Sequence, residues 1–176
     1  MTERIIIAGA GGQGIMLLGK ILAQAAMRQD KFVTWLPSYG AEVRGGTSHC
    51  MVIISDTEIG SPYIEKADTL IIMNQPSLEK FKAKLKNKGL LIVNSSLTGR
   101  VDYQNMQISQ FPFTDIAIKL GNIKIANMVA LGCFVREKKT VHLESIFEAI
   151  VDIAPKEKKG LIEINKKALE EGVRLK

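Results

Sequence analysis

The chain has 176 residues, of which 46% are hydrophobic and 24% charged, a balance typical of one globular domain over residues 1–176. Its net charge is +6, but only 6% of the residues are aromatic, too few for the base-stacking surfaces of nucleic-acid binding. No apolar run approaches the ~20 residues of a membrane span, and no C-x-x-C pair could hold zinc or an iron–sulfur cluster. No signal peptide precedes the first apolar run, so we expect a cytoplasmic protein. From its composition and the length of its apolar runs, we expect it to bind neither nucleic acid nor membrane.

Strand and helix patterns alternate along the chain. Short apolar runs predict strands at residues 5–8, 32–36, 50–54, 69–73 and 90–93, with an edge strand near 106–108. Helical spacing of apolar residues predicts helices at 12–29, 76–86, 123–135, 143–151 and 156–171. Pro37 is expected to end the second strand, and Gly172 to cap the last helix. The order predicts an α/β fold: a single three-layer domain with a largely parallel central sheet and a helical C-terminal part.

A glycine motif lies between the first predicted strand and the first helix. Gly9, Gly11 and Gly14 have the G-x-G-x-x-G spacing and the strand-to-helix context of a dinucleotide-binding turn. That fingerprint also needs an acidic residue at the end of the second strand, where it binds the ribose. Asp30 lies before that strand, so the anchor is missing and dinucleotide binding is the weaker interpretation. Close helix–sheet packing also accounts for the glycines.

A second loop, residues 37–48, follows the second predicted strand. It holds three glycines and a proline, and in addition an aromatic side chain and two opposite charges, Tyr39, Glu42 and Arg44. A plain connector needs glycine or proline to bend but has no use for the other three. If the strands are parallel, both loops open on the same edge of the sheet, where open α/β folds collect ligands and partners.

The two glycine segments, in this order and at this spacing, resemble the gamma subunit of 2-oxoacid:ferredoxin oxidoreductases. They are also similar to the equivalent domain of single-chain pyruvate:ferredoxin oxidoreductase and of indolepyruvate oxidoreductase. The similarity extends to residues 127–132 and covers nearly the whole chain. The sequence of residues 38–48 is closer to that of members that use 2-oxoglutarate than to that of members that use pyruvate.

The resemblance implies a subunit that holds no cofactor itself. Alpha, beta and delta-type partner subunits would carry thiamine diphosphate and Fe–S clusters. The complex would convert a 2-oxoacid, coenzyme A and oxidised ferredoxin into acyl-CoA, CO2 and reduced ferredoxin, and the isolated chain would be inactive. Two alternatives remain open: a free-standing oxidoreductase that uses residues 9–14 to bind a dinucleotide, and a non-enzymatic scaffold subunit.

The resemblance also implies a set of cofactor-binding or interface residues, with no catalytic residue and no metal ligand. The set is Gly11, Gly12, Gln13, Gly14, Tyr39, Gly40, Glu42, Arg44, Gly45 and Gly46. The Arg44 guanidinium would contact a coenzyme A phosphate or an interface carboxylate, or it would pair with Glu42 within the loop. Tyr39 is interpreted as an interface aromatic.

Other polar residues are interpreted as structural. Close packing is the simpler explanation for Gln13, and His49 and Asn127 are assigned structural roles, Asn127 by bonding backbone at the start of a helix. The lysines at every second position from Lys80 to Lys88 are interpreted as a solvated face, with coenzyme A or ferredoxin docking as the sharper alternative.

Overall fold

A computed structural model describes residues 1–38, 47–154 and 159–176. Its six strands form one sheet with the order β2-β3-β1-β4-β5-β6. The strands are β1 (Thr2–Ala10), β2 (Phe32–Ser38), β3 (Thr47–Ser55), β4 (Ala67–Ile72), β5 (Leu85–Asn94) and β6 (Gln107–Phe111). The predicted edge strand near residue 107 is confirmed, because β6 closes one side of the sheet.

The sheet is mostly parallel, as predicted. β1 pairs in parallel with β4, β4 with β5, and β5 with β6. β3 runs against both β1 and β2, so β2 points the same way as β1. The antiparallel β3 was not anticipated, although only eight residues separate β2 from β3. A parallel crossover needs a dozen or more residues, so this short connection requires the chain to reverse.

Helices cover both faces of the sheet. They are α1 (Ile15–Met27), α2 (Gln75–Phe81), α3 (Phe113–Lys119), α4 (Ala126–Lys138), α5 (Leu143–Ile153) and α6 (Lys159–Arg174). Ile5 and Ile7 of β1 share one apolar core with α1, α4, α5 and α6, whereas Ile6 and Ala8 face a second core with α2. This alternation confirms the predicted three layers with helices concentrated in the C-terminal part. Within the described ranges, no helix combines the length and apolarity that crossing a bilayer demands.

The predicted ends of the second strand and of the second helix are wrong. Pro37 lies inside β2 and pairs with Cys50 instead of ending the strand. β2 is an edge strand, where a missing backbone N–H is tolerated. The predicted helix at 76–86 ends at Phe81, and a 3₁₀ turn (Lys82–Lys84) leads directly into β5.

Gly172 is not a helix cap, contrary to the prediction, because α6 continues past it to Arg174. A Cβ atom built on Gly172 would lie 2.1 Å from the carbonyl oxygen of Val129, and one on Gly132 would lie 2.0 Å from that of Leu169. The two glycines therefore let the backbones of α4 and α6 come into direct contact. This packing between distant segments explains the glycine better than helix termination does.

Candidate functional site

The candidate site is the edge of the sheet at the carboxyl end of β1. Ala10, the last residue of β1, pairs with Thr47, the first residue of β3, and Ser38 at the end of β2 pairs with His49. The anchoring residues of both predicted loops therefore lie at the same edge, as expected. Six of the predicted site residues lie outside the described residues, between Ser38 and Thr47: Tyr39, Gly40, Glu42, Arg44, Gly45 and Gly46.

The described half of the site is the turn from β1 to α1, which contains Gly11, Gly12, Gln13 and Gly14. Gly12 and Gly14 have φ angles of 88° and 71°, in the left-handed region that favours glycine. The turn is closed by the backbone N–H of Gln13, which donates to the carbonyl oxygen of Ala10 over 3.2 Å. These backbone angles account for glycine at the second and last of these four positions without reference to a ligand.

The side chain of Gln13 is engaged within the protein. Its Oε1 accepts a hydrogen bond from the backbone N–H of Ala10 at 2.6 Å, and its Nε2 donates to the carbonyl oxygen of Met73 at 3.2 Å. Because Met73 directly follows β4, Gln13 ties the glycine turn to the neighbouring parallel strand. These contacts favour the close-packing interpretation of this residue.

The carbonyl oxygen of Met73 also links the turn to Asn94, a residue that sequence reasoning did not single out. The Nδ2 of Asn94 donates to Met73 O at 3.2 Å and to Thr114 Oγ1 at 2.9 Å. Its Oδ1 accepts from the backbone N–H of Thr114 at 3.3 Å, and the side chain is completely buried. The available signal was an asparagine directly after a continuous apolar strand, where a buried polar group needs partners.

Asn127 connects α4 to the same turn. Its Nδ2 donates to the carbonyl oxygen of Gly14 over 3.1 Å, and the residue is only 2% exposed. The predicted structural role, bonding to backbone, is therefore confirmed. The bonded backbone belongs to the distant glycine turn, however, and the N-cap position of α4 is occupied by Ile125. A Cβ atom on Gly14 would lie 2.4 Å from Asn127 Nδ2, so this close approach also requires glycine.

His49, the third residue of β3, is half-buried and packs against Phe81, with 4.7 Å between ring centroids. Burial lowers the pKa of His49, and the positive charges of Lys80 and Lys84 lower it further. These surroundings disfavour the charged imidazolium. This environment agrees with a structural role.

In its described part, the carboxyl edge lacks the acidic side chain that would bind the ribose of a dinucleotide. Asp30 lies in the turn between α1 and β2, at the amino end of β2 and thus across the sheet from the glycine turn. The last described residues of β2, Leu36, Pro37 and Ser38, carry no carboxylate. The geometry therefore does not support the dinucleotide interpretation.

Neither cysteine has the character of a metal ligand or nucleophile. Burial raises the pKa of both Cys50 and Cys133 to about 12, and the Cys50 thiol donates to the carbonyl oxygen of Ile15 at 3.6 Å. The described ranges contain no grouping of three or more His, Cys, Asp or Glu side chains suited to a metal ion.

We expect both thiols to resist a disulfide-exchange dye at pH 7.5 in the folded protein and to react fully in denaturant. Only thiolate reacts, and burial limits both its formation and its access. Counting released chromophore with and without urea checks this expectation. Rapid modification of Cys50 in the native chain would contradict it.

The fold and its glycine-rich carboxyl edge define an α/β protein whose candidate site lies where parallel strands end. The sequence profile described as pyruvate ferredoxin/flavodoxin oxidoreductase matches residues 4–175. The chain therefore belongs to the pyruvate ferredoxin/flavodoxin oxidoreductase family, which confirms the resemblance inferred from its two glycine segments.

Named relatives agree with this family. 2-Oxoglutarate synthase subunit KorC of Methanocaldococcus jannaschii is 38% identical, over 94% of this chain and 92% of that protein. Ketoisovalerate oxidoreductase subunit VorA of Methanothermobacter marburgensis is 36% identical over 96% of this chain, which spans about a third (35%) of VorA. The crystal structure of a keto/oxoacid ferredoxin oxidoreductase gamma subunit from Geobacter sulfurreducens matches with a TM-score of 0.84 and 34% identity, over 97% of this chain and 95% of that one. The chain is thus of the gamma-subunit type.

Proposed function

We propose that this chain is the gamma subunit of a cytoplasmic 2-oxoacid:ferredoxin oxidoreductase, and that residues 1–176 form one domain. The complex would decarboxylate a 2-oxoacid oxidatively, with coenzyme A, to acyl-CoA, CO2 and reduced ferredoxin. The observation that carries this proposal is the match to a gamma subunit over almost the full length of both chains. We propose 2-oxoglutarate as the 2-oxoacid, and the sequence of residues 38–48 and the similarity to KorC support this choice.

The cofactors of the reaction would reside on alpha, beta and delta-type partner subunits. An iron–sulfur cluster needs several thiolates close together. Cys50 and Cys133 are the chain's only cysteines, both are buried, and burial raises the pKa of both thiols, so this donor set does not fit a cluster. The chain would therefore contribute contacts rather than redox chemistry, and ferredoxin would be reached through the complex.

The proposed contacts lie at the carboxyl edge. Gly11 and Gly12 are exposed there, so their backbone can approach a partner subunit or coenzyme A closely. Arg44, in the adjoining segment, would supply a rigid guanidinium for a phosphate of coenzyme A or a carboxylate of the partner. Tyr39 would add an aromatic contact at the interface.

An anaerobic pull-down of the tagged chain from its native cell tests the proposal. We expect thiamine diphosphate and Fe–S subunits to co-purify in fixed ratio. That material should reduce a dye when given 2-oxoglutarate and coenzyme A, whereas the chain purified alone should not. Turnover by the lone chain, or its recovery with a bound dinucleotide and no partner, would contradict the proposal.

Arg44→Glu should weaken assembly or raise the KM for coenzyme A about tenfold or more, because it replaces a cation with a repelling carboxylate. Gly45→Glu should act in the same direction. The measurements are subunit ratio by gel filtration and KM by dye reduction. Arg100→Glu is the matched control: Arg100 is exposed in the segment after β5, so this variant reverses the same charge at another position of the carboxyl edge. Normal assembly and normal KM in both loop variants would show that this segment is not functional.

A further inference from the structure

The structure separates the members of the lysine run, which the sequence treats as equivalent. Lys84 Nζ donates to the hydroxyl of Tyr63 at 3.3 Å, and Lys86 Nζ pairs with Asp68 Oδ1 at 2.5 Å. Lys80 Nζ instead donates to Thr47 Oγ1 at 2.9 Å. Within the described contacts, Lys80 is thus the member of the run that reaches the carboxyl edge.

The register of β1 and β3 shows what Lys80 reaches. Thr47 lies directly opposite Ala10, the residue before Gly11, and it begins β3 immediately after residues 39–46. Ala8 lies in the core on the α2 side of the sheet and pairs with His49. Since side chains alternate along strands, Ala10, Thr47 and His49 face that side as well. The ammonium group of Lys80 therefore lies at the carboxyl edge, bonded to the residue that pairs with Ala10.

Lys80 and Thr47 form a hydrogen-bonded pair, and His49 lies two residues further along β3 on the same face. The Lys80 Nζ lies 5.7 Å from the centroid of the Phe81 ring, against which His49 also packs. The neighbouring Glu79 accepts a hydrogen bond from Gln75 Nε2, and no carboxylate among the described residues bonds to Lys80. An ammonium and a hydroxyl supply donors to an incoming anion.

We propose that Lys80, together with Thr47, forms a phosphate-recognition subsite at the carboxyl edge. The inference rests on the proposed function, because coenzyme A is the phosphate-bearing substrate expected at this edge. The ammonium binds as a compact charge with the Thr47 hydroxyl beside it. The same chemistry would accept either a phosphate of the coenzyme or free phosphate.

Kinetics of the purified complex test the subsite. Lys80→Gln is expected to raise the KM for coenzyme A about tenfold with kcat unchanged, because one charge-assisted hydrogen bond is lost at an exposed position. Lys80→Arg keeps the charge and should restore most of the affinity. Lys82→Gln is the matched control: it removes the same charge two residues away, from an exposed side chain with no described polar contact, and should leave KM unchanged.

Two further arms identify the source of the phosphate. If the 3′-phosphate of the coenzyme binds here, the difference between Lys80→Gln and wild type disappears with dephospho-coenzyme A; if the pyrophosphate binds, the difference persists. If free phosphate binds, inorganic phosphate raises the KM for coenzyme A in the wild type and not in Lys80→Gln. It should also raise the melting temperature of the isolated wild-type chain and not of that variant, a readout independent of turnover.

Three results would overturn the subsite. They are an unchanged KM in Lys80→Gln, equal effects of Lys80→Gln and Lys82→Gln, or loss of subunits from the Lys80→Gln complex on gel filtration, which would make Lys80 an assembly residue. Coenzyme-dependent turnover of the wild type tests the proposed function, whereas only the difference between the two glutamine variants tests the subsite.

Discussion

Gly172→Ala should lower the free energy of unfolding by about 3 kcal/mol, a large effect for a single methyl group. The added Cβ would lie 2.1 Å from the carbonyl oxygen of Val129 and 2.9 Å from the backbone N of Cys133. Both neighbours are backbone atoms of α4, so no side-chain rotation relieves the clash and the two helices must separate. Urea denaturation followed by circular dichroism measures the change.

Gly160→Ala provides the control within the same helix. Gly160 lies in the first turn of α6 and is exposed, and a Cβ atom there meets no atom of the described residues within 4 Å outside its own stretch of helix. Alanine is the better helix former, so this variant should gain up to about 1 kcal/mol. A similar destabilisation by both substitutions would show that the contact between α4 and α6 is not what requires Gly172.

Asn94→Ala should cost about 3 kcal/mol and should also loosen the glycine turn. The substitution removes three hydrogen bonds and leaves the buried backbone N–H of Thr114 without its side-chain acceptor. Gln13 and Asn94 both donate to the carbonyl oxygen of Met73, so losing the Asn94 bond should weaken the hold of that oxygen on Gln13 and thus on the glycine turn. Denaturation gives the stability change, and amide hydrogen exchange at Ala10 and Gln13 reports on the turn.

Asn122→Ala is the comparison for Asn94→Ala. Asn122 accepts one hydrogen bond, from the backbone N–H of Lys124, near the surface, and its loss should cost about 1 kcal/mol. Exchange at Ala10 and Gln13 should not change in this variant. If Asn94→Ala leaves exchange at those two amides unchanged, the link between β5 and the glycine turn carries no mechanical role.

Local patterns in the sequence predicted most of the sheet. Continuous runs of β-branched residues, such as Ile5 to Ile7, mark strands buried on both faces, and these strands were located to within a few residues. The short α3 was missed because its seven residues contain too little periodicity to distinguish a helix from a loop. β3 was located correctly, but a list of strands does not specify their directions.

Local sequence patterns likewise predicted only part of the candidate site. The two glycine segments identified the family and the carboxyl edge, because the spacing of glycines around a strand end depends on nearby residues alone. The hydrogen bonds of Gln13 and Asn94 to Met73 join residues 60 and 21 positions apart, and no local pattern could have shown them.

The sequence by itself determined the α/β class, the strand positions and the edge that holds the candidate site, since each depends on residues close together in the chain. Only the tertiary structure decided which lysine of the run faces that edge, why α6 contains Gly172, and what Asn127 bonds. Lys80 reaches Thr47 across 33 positions, Gly172 packs against Gly132, and Asn127 reaches Gly14 across 113 positions. Such contacts depend on the packing of whole layers, because hydrophobic burial brings distant segments together irrespective of their separation in the sequence.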